Sequence, residues 1–233
     1  MKILLHYNSY RQLEEYNLSS QFFNRSDFLK QNADVLVCCN NENISIEELS
    51  VWCKYECKTE IVKTTNTGWF DGQFTSLHET FHKFSDYDYV IHSTPDVYIV
   101  DDKPIIELLT EELYTENAMI LDYHPYHADC NISYCADFIV FKPKLISDFF
   151  AIEDAHEKNV QTEKRLFNRV KELNIPHRTI CRGFESLCWQ VDKYGLIHNH
   201  NNNLIRRILE TGQVPSREEA FSHNNVHTGN SIT

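Results

Sequence analysis

The feature that most constrains this chain is a series of short apolar runs with β-type composition. KILLHY (2–7), DVLVCCN (34–40), TEIVKT (59–64) and YDYVIH (87–92) each stop at polar residues and are spaced by stretches of helical or weakly helical periodicity. Such runs read as strands buried on both faces, and their alternation with helices predicts a mainly parallel sheet with crossover helices. Between them, a weak helical pattern surrounds Phe22, Phe23 and Phe28. Ser45 and Glu48 form a capping box ahead of Ile46, Leu49, Trp52 and Cys53, and Phe74, Leu77, Phe81 and Phe84 mark a core-facing helix. Pro104 opens a further helix carrying Ile105, Leu108, Leu109 and Leu113, with Asp101 and Asp102 placed as its N-terminal cap. AMILDY (118–123) and DFIVFK (137–142) supply two more strands, and helices are predicted near 160–173, 184–193 and 203–210.

With 233 residues there is enough chain for one core that covers both faces of a sheet. The expectation is a single α/β domain over 1–211, a mainly parallel central sheet flanked by helices, followed by a polar tail at 212–233. The formal net charge of −12 argues against a surface that tracks nucleic-acid phosphates, so an anionic ligand would need a bridging metal. The opening apolar run is too short for a secretory signal or a membrane span, which predicts a cytoplasmic protein without a transmembrane segment. Its eight cysteines, including the pairs Cys53/Cys57 and Cys130/Cys135, then read as thiols, and the sequons at Asn17, Asn24, Asn43 and Asn131 as chance.

In sheets of this kind ligands gather at the carboxyl ends of strands. Those ends carry Tyr7 and Asn8, Asn40 and Asn41, Asn66 and Gly68, and the stretch His92 to Asp96. Trp69 and Phe70, between Gly68 and Gly72, are placed to stack on a base or a sugar ring or to cap the sheet.

Asn66-x-Gly68, a helix, and then DYDYVIHSTPD ending in Asp96 together resemble the nucleotide-sugar core of GT-A-fold glycosyltransferases. The small size and the STPD stretch are similar to glycosyltransferase domains of large algal DNA viruses, which would place the protein in a host cytoplasm. In that family a strand ends in an Asp-x-Asp-like motif that binds a divalent metal carrying the sugar-nucleotide diphosphate. Asp96 matches its last acid, while Thr94 stands where the first would be. Gly195-Leu-Ile-His198 resembles the downstream histidine that adds a metal ligand, and YCADFIVFKP (134–143) resembles the acceptor-side strand. The resemblance implies Mn²⁺ or Mg²⁺ at Asp96 and His198, a nucleoside-diphosphate sugar donor near Tyr7, Asn8, Asn40, Asn66, Gly68 and Asp96, and a hydroxyl acceptor on a glycan or glycoprotein. Candidates for the base that deprotonates the acceptor are Asp137 first, then Asp122, with Glu185 a third.

Two readings from other classes compete. His78-Glu79-x-x-His82 fits the H-E-x-x-H helix of zinc peptidases, in which two histidines bind zinc and the glutamate activates water. It lacks the extended form, since Ser85 and Asp88 replace the later Gly and His, and the stripe Leu77, Phe81, Phe84 turns both histidines outward. The missing first acid leaves room for a non-catalytic nucleotide-sugar or glycan-binding module.

Overall fold

The computed structural model describes residues 1–9, 13–67, 72–123, 134–147, 149–150, 162–181, 189–190, 194–199 and 201–216. Seven strands form the main sheet: β1 (Ile3–Ser9), β2 (Ala33–Cys39), β3 (Thr59–Lys63), β4 (Tyr89–Ser93), β6 (Met119–Tyr123), β7 (Tyr134–Phe141) and β8 (His177–Cys181). Their order is β3-β2-β1-β4-β7-β6-β8. Four of the six neighbouring pairs are parallel, and only β7 runs antiparallel to both its neighbours. A second, three-stranded antiparallel sheet, β5 (Val97–Ile99), β10 (Leu196–His198) and β9 (Trp189–Gln190), stands at the end of β4.

The alternation of side chains along β1 divides the interior. Ile3, Leu5 and Tyr7 join a cluster with Tyr16 and Phe23 of α1 (Leu13–Arg25), Leu49 and Trp52, and Ile105 and Leu109 of α4 (Lys103–Glu112). On the opposite face Leu4 meets Phe74 and Leu77 of α3 (Gly72–Thr80) and Leu166 of α5 (Thr162–Glu172), with Phe149 and Phe150. A third cluster uses the other side of α1, Leu18 and Phe22, against Tyr98, Ile197 and the apolar stripe of α6 (Asn202–Thr211). Asn201 caps α6 through its side chain, and Gly212, at φ 67°, closes it in the left-handed conformation that glycine adopts without steric cost. Among the described residues no helix is long and apolar enough to cross a membrane.

Several expectations need correction. The capping box forms, with Ser45 N donating to Glu48 Oε2 at 2.8 Å and Glu48 N to Ser45 Oγ at 3.2 Å, but the helix after it, Glu48–Lys54, is 3₁₀. Leu49 and Trp52, three residues apart, fit that tighter period, while Ile46 is 44% exposed. α3 stops at Thr80 and continues as a 3₁₀ turn, Phe81–Lys83. Asp102 stands at the N-cap position of α4, as expected, but its side chain makes no cap bond there. Its Oδ2 accepts the Phe28 and Leu29 amides at 2.8 and 2.9 Å, at the start of the one-turn α2 (Leu29–Asn32), whereas Asp101 Oδ1 accepts from Lys103 N. Trp189–Gln190 is a strand where a helix was expected, and the remaining residues of 184–193 lie outside the described residues. β5, β8 and β10 were not foreseen. The predicted tail is described only to residue 216.

Candidate functional site

Asp96 is wholly buried in the turn that joins β4 to β5. Val97 N donates to Thr94 O at 3.1 Å to close the turn, Thr94 N donates to Asp137 O at 2.9 Å, and Ser19 Oγ of α1 donates to Pro95 O. The antiparallel register of β5 with β10 sets Val97 opposite His198, and Asn199 N donates to Asp96 O at 3.2 Å. His198 Nε2 consequently stands 3.4 Å from Asp96 Oδ2 and 3.9 Å from Asp137 Oδ2. Three side chains from β7, β10 and the β4–β5 turn, separated by as many as a hundred residues of sequence, share one spot.

Asp137 reaches it through an irregularity. β6 and β7 pair Leu121 with Ile139 but Asp122 with Cys135, so Ala136 to Phe138 have no partner on β6. A bulge of this kind bends a strand and re-aims its side chains. The Asp137 carboxylate accepts from Gln73 Nε2 at 3.3 Å on Oδ1 and from the Cys135 thiol at 3.3 Å on Oδ2. Its side chain remains 20% exposed, against 12% for His198 and none for Asp96. Asp122 lies at the same bulge, in register with Ile180 of β8, and is wholly buried.

The ends of β1 and β2 meet the start of α3. Asn8 Nδ2 donates to Gly72 O at 3.3 Å, and a Cβ on Gly72 would fall 2.5 Å from Asn40 Nδ2, so the absent side chain is what lets the helix close on the sheet. Asn8 and Asn40 are buried, and the Oδ1 of each has no hydrogen-bond partner. Tyr7 points to the opposite face of β1, where it packs on Trp52 with ring centroids 4.7 Å apart and burial pushes its hydroxyl pKa up. That position gives it a core role and keeps it from the strand-end polar cluster. Asn66 is exposed at the end of the segment after β3. Gly68, Trp69, Phe70 and Glu185 lie outside the described residues.

Beneath the site two imidazoles face each other inside the sheet. His6 Nδ1 and His92 Nδ1 are 2.8 Å apart, and His6 Nε2 contacts Cys38 Sγ and Thr80 Oγ1, each at 3.3 Å. Both histidines are fully buried, and burial lowers both pKa values, that of His92 to about 4 despite the opposing influence of Asp137. The pair is therefore neutral near pH 7, one ring donating and the other accepting.

The peptidase motif does not assemble. α3 ends between His78 and His82, which breaks the one-turn spacing that two zinc ligands need, and Glu79 Oε2 accepts the Thr65 amide at 3.0 Å. His78, Glu79 and His82 are all exposed.

Among the described residues no group of three or more His, Cys, Asp and Glu forms a metal cage. Asp96 Oδ2 and His198 Nε2 nevertheless suit part of a coordination sphere. A carboxylate and an imidazole at 3.4 Å can share a Mn²⁺ or Mg²⁺ whose remaining positions go to phosphate oxygens and water, the usual arrangement for a cation that serves a nucleotide. Gln73 and Cys135 are the site residues that sequence reasoning missed. Gln73 carries only the faint signal of following Gly72 at a helix start.

No family model and no curated protein sequence matches this chain. Solved structures do match its fold. A mannosyltransferase from Pyrobaculum calidifontis, in complex with GDP-Man and Mn²⁺, superposes with TM-score 0.58 at 9% identity, over 97% of this chain and 69% of its own. The 4-diphosphocytidyl-2C-methyl-D-erythritol synthase from Anaerococcus prevotii gives 0.57 at 11% identity, over 91% and 99%. The glycosyltransferase GlyE of Streptococcus pneumoniae gives 0.50 at 12% identity over 77% of this chain, which spans 45% of GlyE. The fold is thus the GT-A-like, Rossmann-type α/β fold, shared by glycosyltransferases and nucleotidyltransferases. Identities this low speak for the fold alone.

Proposed function

We propose that the protein is a metal-dependent glycosyltransferase that moves a sugar from a nucleoside-diphosphate donor to a hydroxyl of a glycan or glycoprotein. The observation that carries this reading is the convergence of Asp96, His198 and Asp137 at the carboxyl ends of the strands, in a fold whose solved examples include sugar transferases. Asp96 and His198 would hold Mn²⁺ or Mg²⁺. Held there, a divalent cation would supply neutralisation of the charge that develops on the departing diphosphate. His198 would serve through the lone pair of Nε2, and Asp96 is held by backbone bonds on both sides of its turn, so its carboxylate is already placed when the donor arrives.

Asp137 is assigned as the base that takes the acceptor proton. Its partial exposure favours it over Asp122, which is sealed from any incoming hydroxyl. Asn8 and Asn40 line the donor side, and Asn66 and Gly68 are assigned to the donor from the sequence. A relationship to the algal-virus domains, and a cytoplasmic location, rest on the sequence alone, as does a domain limit at residue 211.

Thr94, in place of the first acid, is the feature that favours a binder without transfer. The experiment that tests the reading is thermal unfolding with UDP-glucose and GDP-mannose, with and without Mn²⁺, in the wild type and in Asp96→Ala, together with nucleoside-diphosphate release. Wild-type stabilisation that depends on Mn²⁺ and vanishes in Asp96→Ala is expected, with release above background. Undiminished Mn²⁺-dependent stabilisation of the variant refutes the assignment of Asp96, and stabilisation without release selects the binding module.

A further inference from the structure

Gln73, on the first turn of α3, is a polar side chain whose two ends are treated differently. Its Nε2 donates to Asp137 Oδ1 at 3.3 Å, while its Oε1 is buried with no hydrogen-bond partner. The reverse orientation of the carboxamide would set two acceptor oxygens against each other, so the bond to Asp137 fixes the direction of Oε1. A buried acceptor left without a donor is unfavourable, so the position has room for a partner that a bound ligand could supply.

The chemistry of that partner is restricted. Oε1 offers only lone pairs, so it excludes the diphosphate of a donor, whose oxygens also only accept at neutral pH, and takes an O–H, an N–H or a cation. The cation is assigned to Asp96 and His198, on the other oxygen of Asp137, which leaves an O–H or N–H. Position narrows the choice further. Asp137 Oδ2 is 3.9 Å from His198 Nε2, the group assigned to the cation and diphosphate, and Gln73 sits on the far oxygen of the same carboxylate. Along a nucleoside-diphosphate sugar the hydroxyl-bearing group attached to the terminal phosphate is the transferred sugar. We propose that Gln73 selects this sugar, its Oε1 accepting from one ring hydroxyl while its Nε2 holds Asp137 in place. The inference rests on the glycosyltransferase reading and adds to it the residue that discriminates among sugars. A site built to accept from a hydroxyl rejects an analogue that lacks it, because the buried acceptor is then left unpaired.

The test is a double-mutant cycle in which the second change is made on the sugar. Dissociation constants with Mn²⁺ are measured for the wild type and Gln73→Leu against UDP, GDP, UDP-glucose and GDP-mannose. The tighter-bound of the two nucleotide sugars is then compared with its monodeoxy analogues. The expected result is that Gln73→Leu binds the bare nucleotides as the wild type does, within about threefold, but loses about tenfold on the nucleotide sugar. One deoxy analogue is expected to weaken the wild type by the same factor and to leave Gln73→Leu unchanged. Gln73→Met, which keeps the length of the side chain, is run alongside so that a folding defect peculiar to leucine is recognised.

Equal losses on nucleotide and nucleotide sugar would show a structural role and overturn the proposal. So would no loss at all, a sugar that adds no affinity in the wild type, or additive effects for every deoxy analogue. A wild type that binds neither UDP nor GDP would instead remove the glycosyltransferase reading itself, a result distinct from each of these.

Discussion

The two sides of the main sheet are built on different plans. From β3 through β4 the strands are parallel, their registers unbroken, and their carboxyl ends present buried carboxamides against the start of α3. At β7 the parallel run is broken, since β7 is antiparallel to both β4 and β6, a bulge interrupts its pairing with β6, and the polar groups are carboxylates, Asp137 and Asp122. Even spacing suits a ligand gripped along its length, whereas a bulge aims one side chain at one point. In the proposed reaction the first side would bind the donor and the second would act on the acceptor, and each can be damaged separately.

The sharpest break comes from Asp137→Asn. Donor affinity is expected to stay within about threefold while transfer falls by roughly 10²–10⁴, the usual range for removal of a general base. Donor affinity and turnover measured on one preparation check this, and a fully active variant would reject the role. Parallel loss of melting temperature and donor binding would mean that Asp137 only anchors the turn through its neighbours.

A smaller effect is expected within the parallel side, at the His6–His92 pair on β1 and β4. Burial holds His92 at about 4 in the folded protein, against about 6.5 when unfolded, and His6 is lowered too. Below the unfolded value the open chain takes up protons that the folded chain refuses. The contribution is therefore complete above about pH 6.5 and is lost as the pH falls toward 4, by roughly 3 kcal/mol for His92. Urea unfolding at pH 7.5 and 4.5 measures the decline, and His92→Gln is expected to flatten it. The same slope in the variant would show that other groups are responsible.

Smallest is Gly72→Ala on the parallel side. The new Cβ would sit 2.5 Å from Asn40 Nδ2, and because Asn40 is buried its carboxamide cannot swing into solvent. Crowding of this kind costs about 1–3 kcal/mol. Weaker binding of the donor nucleotide, with unchanged turnover once donor is saturating, is the outcome that keeps the two sides distinct. A fall in saturated turnover would blur them.

The parallel side was readable in the sequence because β1 and β2 are largely apolar runs that lead into Asn8 and Asn40, and the periodicity of Phe74 and Leu77 placed α3. Asp96 was readable as a strand-end acid; Asp137 was read as the opening residue of a strand that begins at Tyr134, and it stands inside β7 at the bulge. The proximity of the two was not readable, since it depends on a three-residue slip between β6 and β7 that no hydrophobic pattern encodes. His198 joins them through a strand of only three residues, below the length at which alternation gives a signal. Tyr7 was misplaced for a simpler reason. Adjacent residues on a strand face opposite sides, so Tyr7 and Asn8 could not both reach the same cluster. The capping box was correct about where the helix at Ser45 starts and silent about its type, which Leu49 and Trp52 decide by packing three residues apart.

The position of β7 between β4 and β6 also bears on how the chain is made. As synthesis proceeds, residues 1–93 bring β1 to β4 together, and these pair with one another. The second edge of β4 gains its partner only when residues 134–141 emerge, about forty residues later. During that interval the strand Tyr89–Ser93, apolar at Val90 and Ile91, offers unpaired amides and carbonyls to any neighbouring nascent chain. Fragments that stop between residues 94 and 133 are accordingly the ones expected to aggregate, and polysomes crowded with such chains are where the protein is most exposed to misassembly.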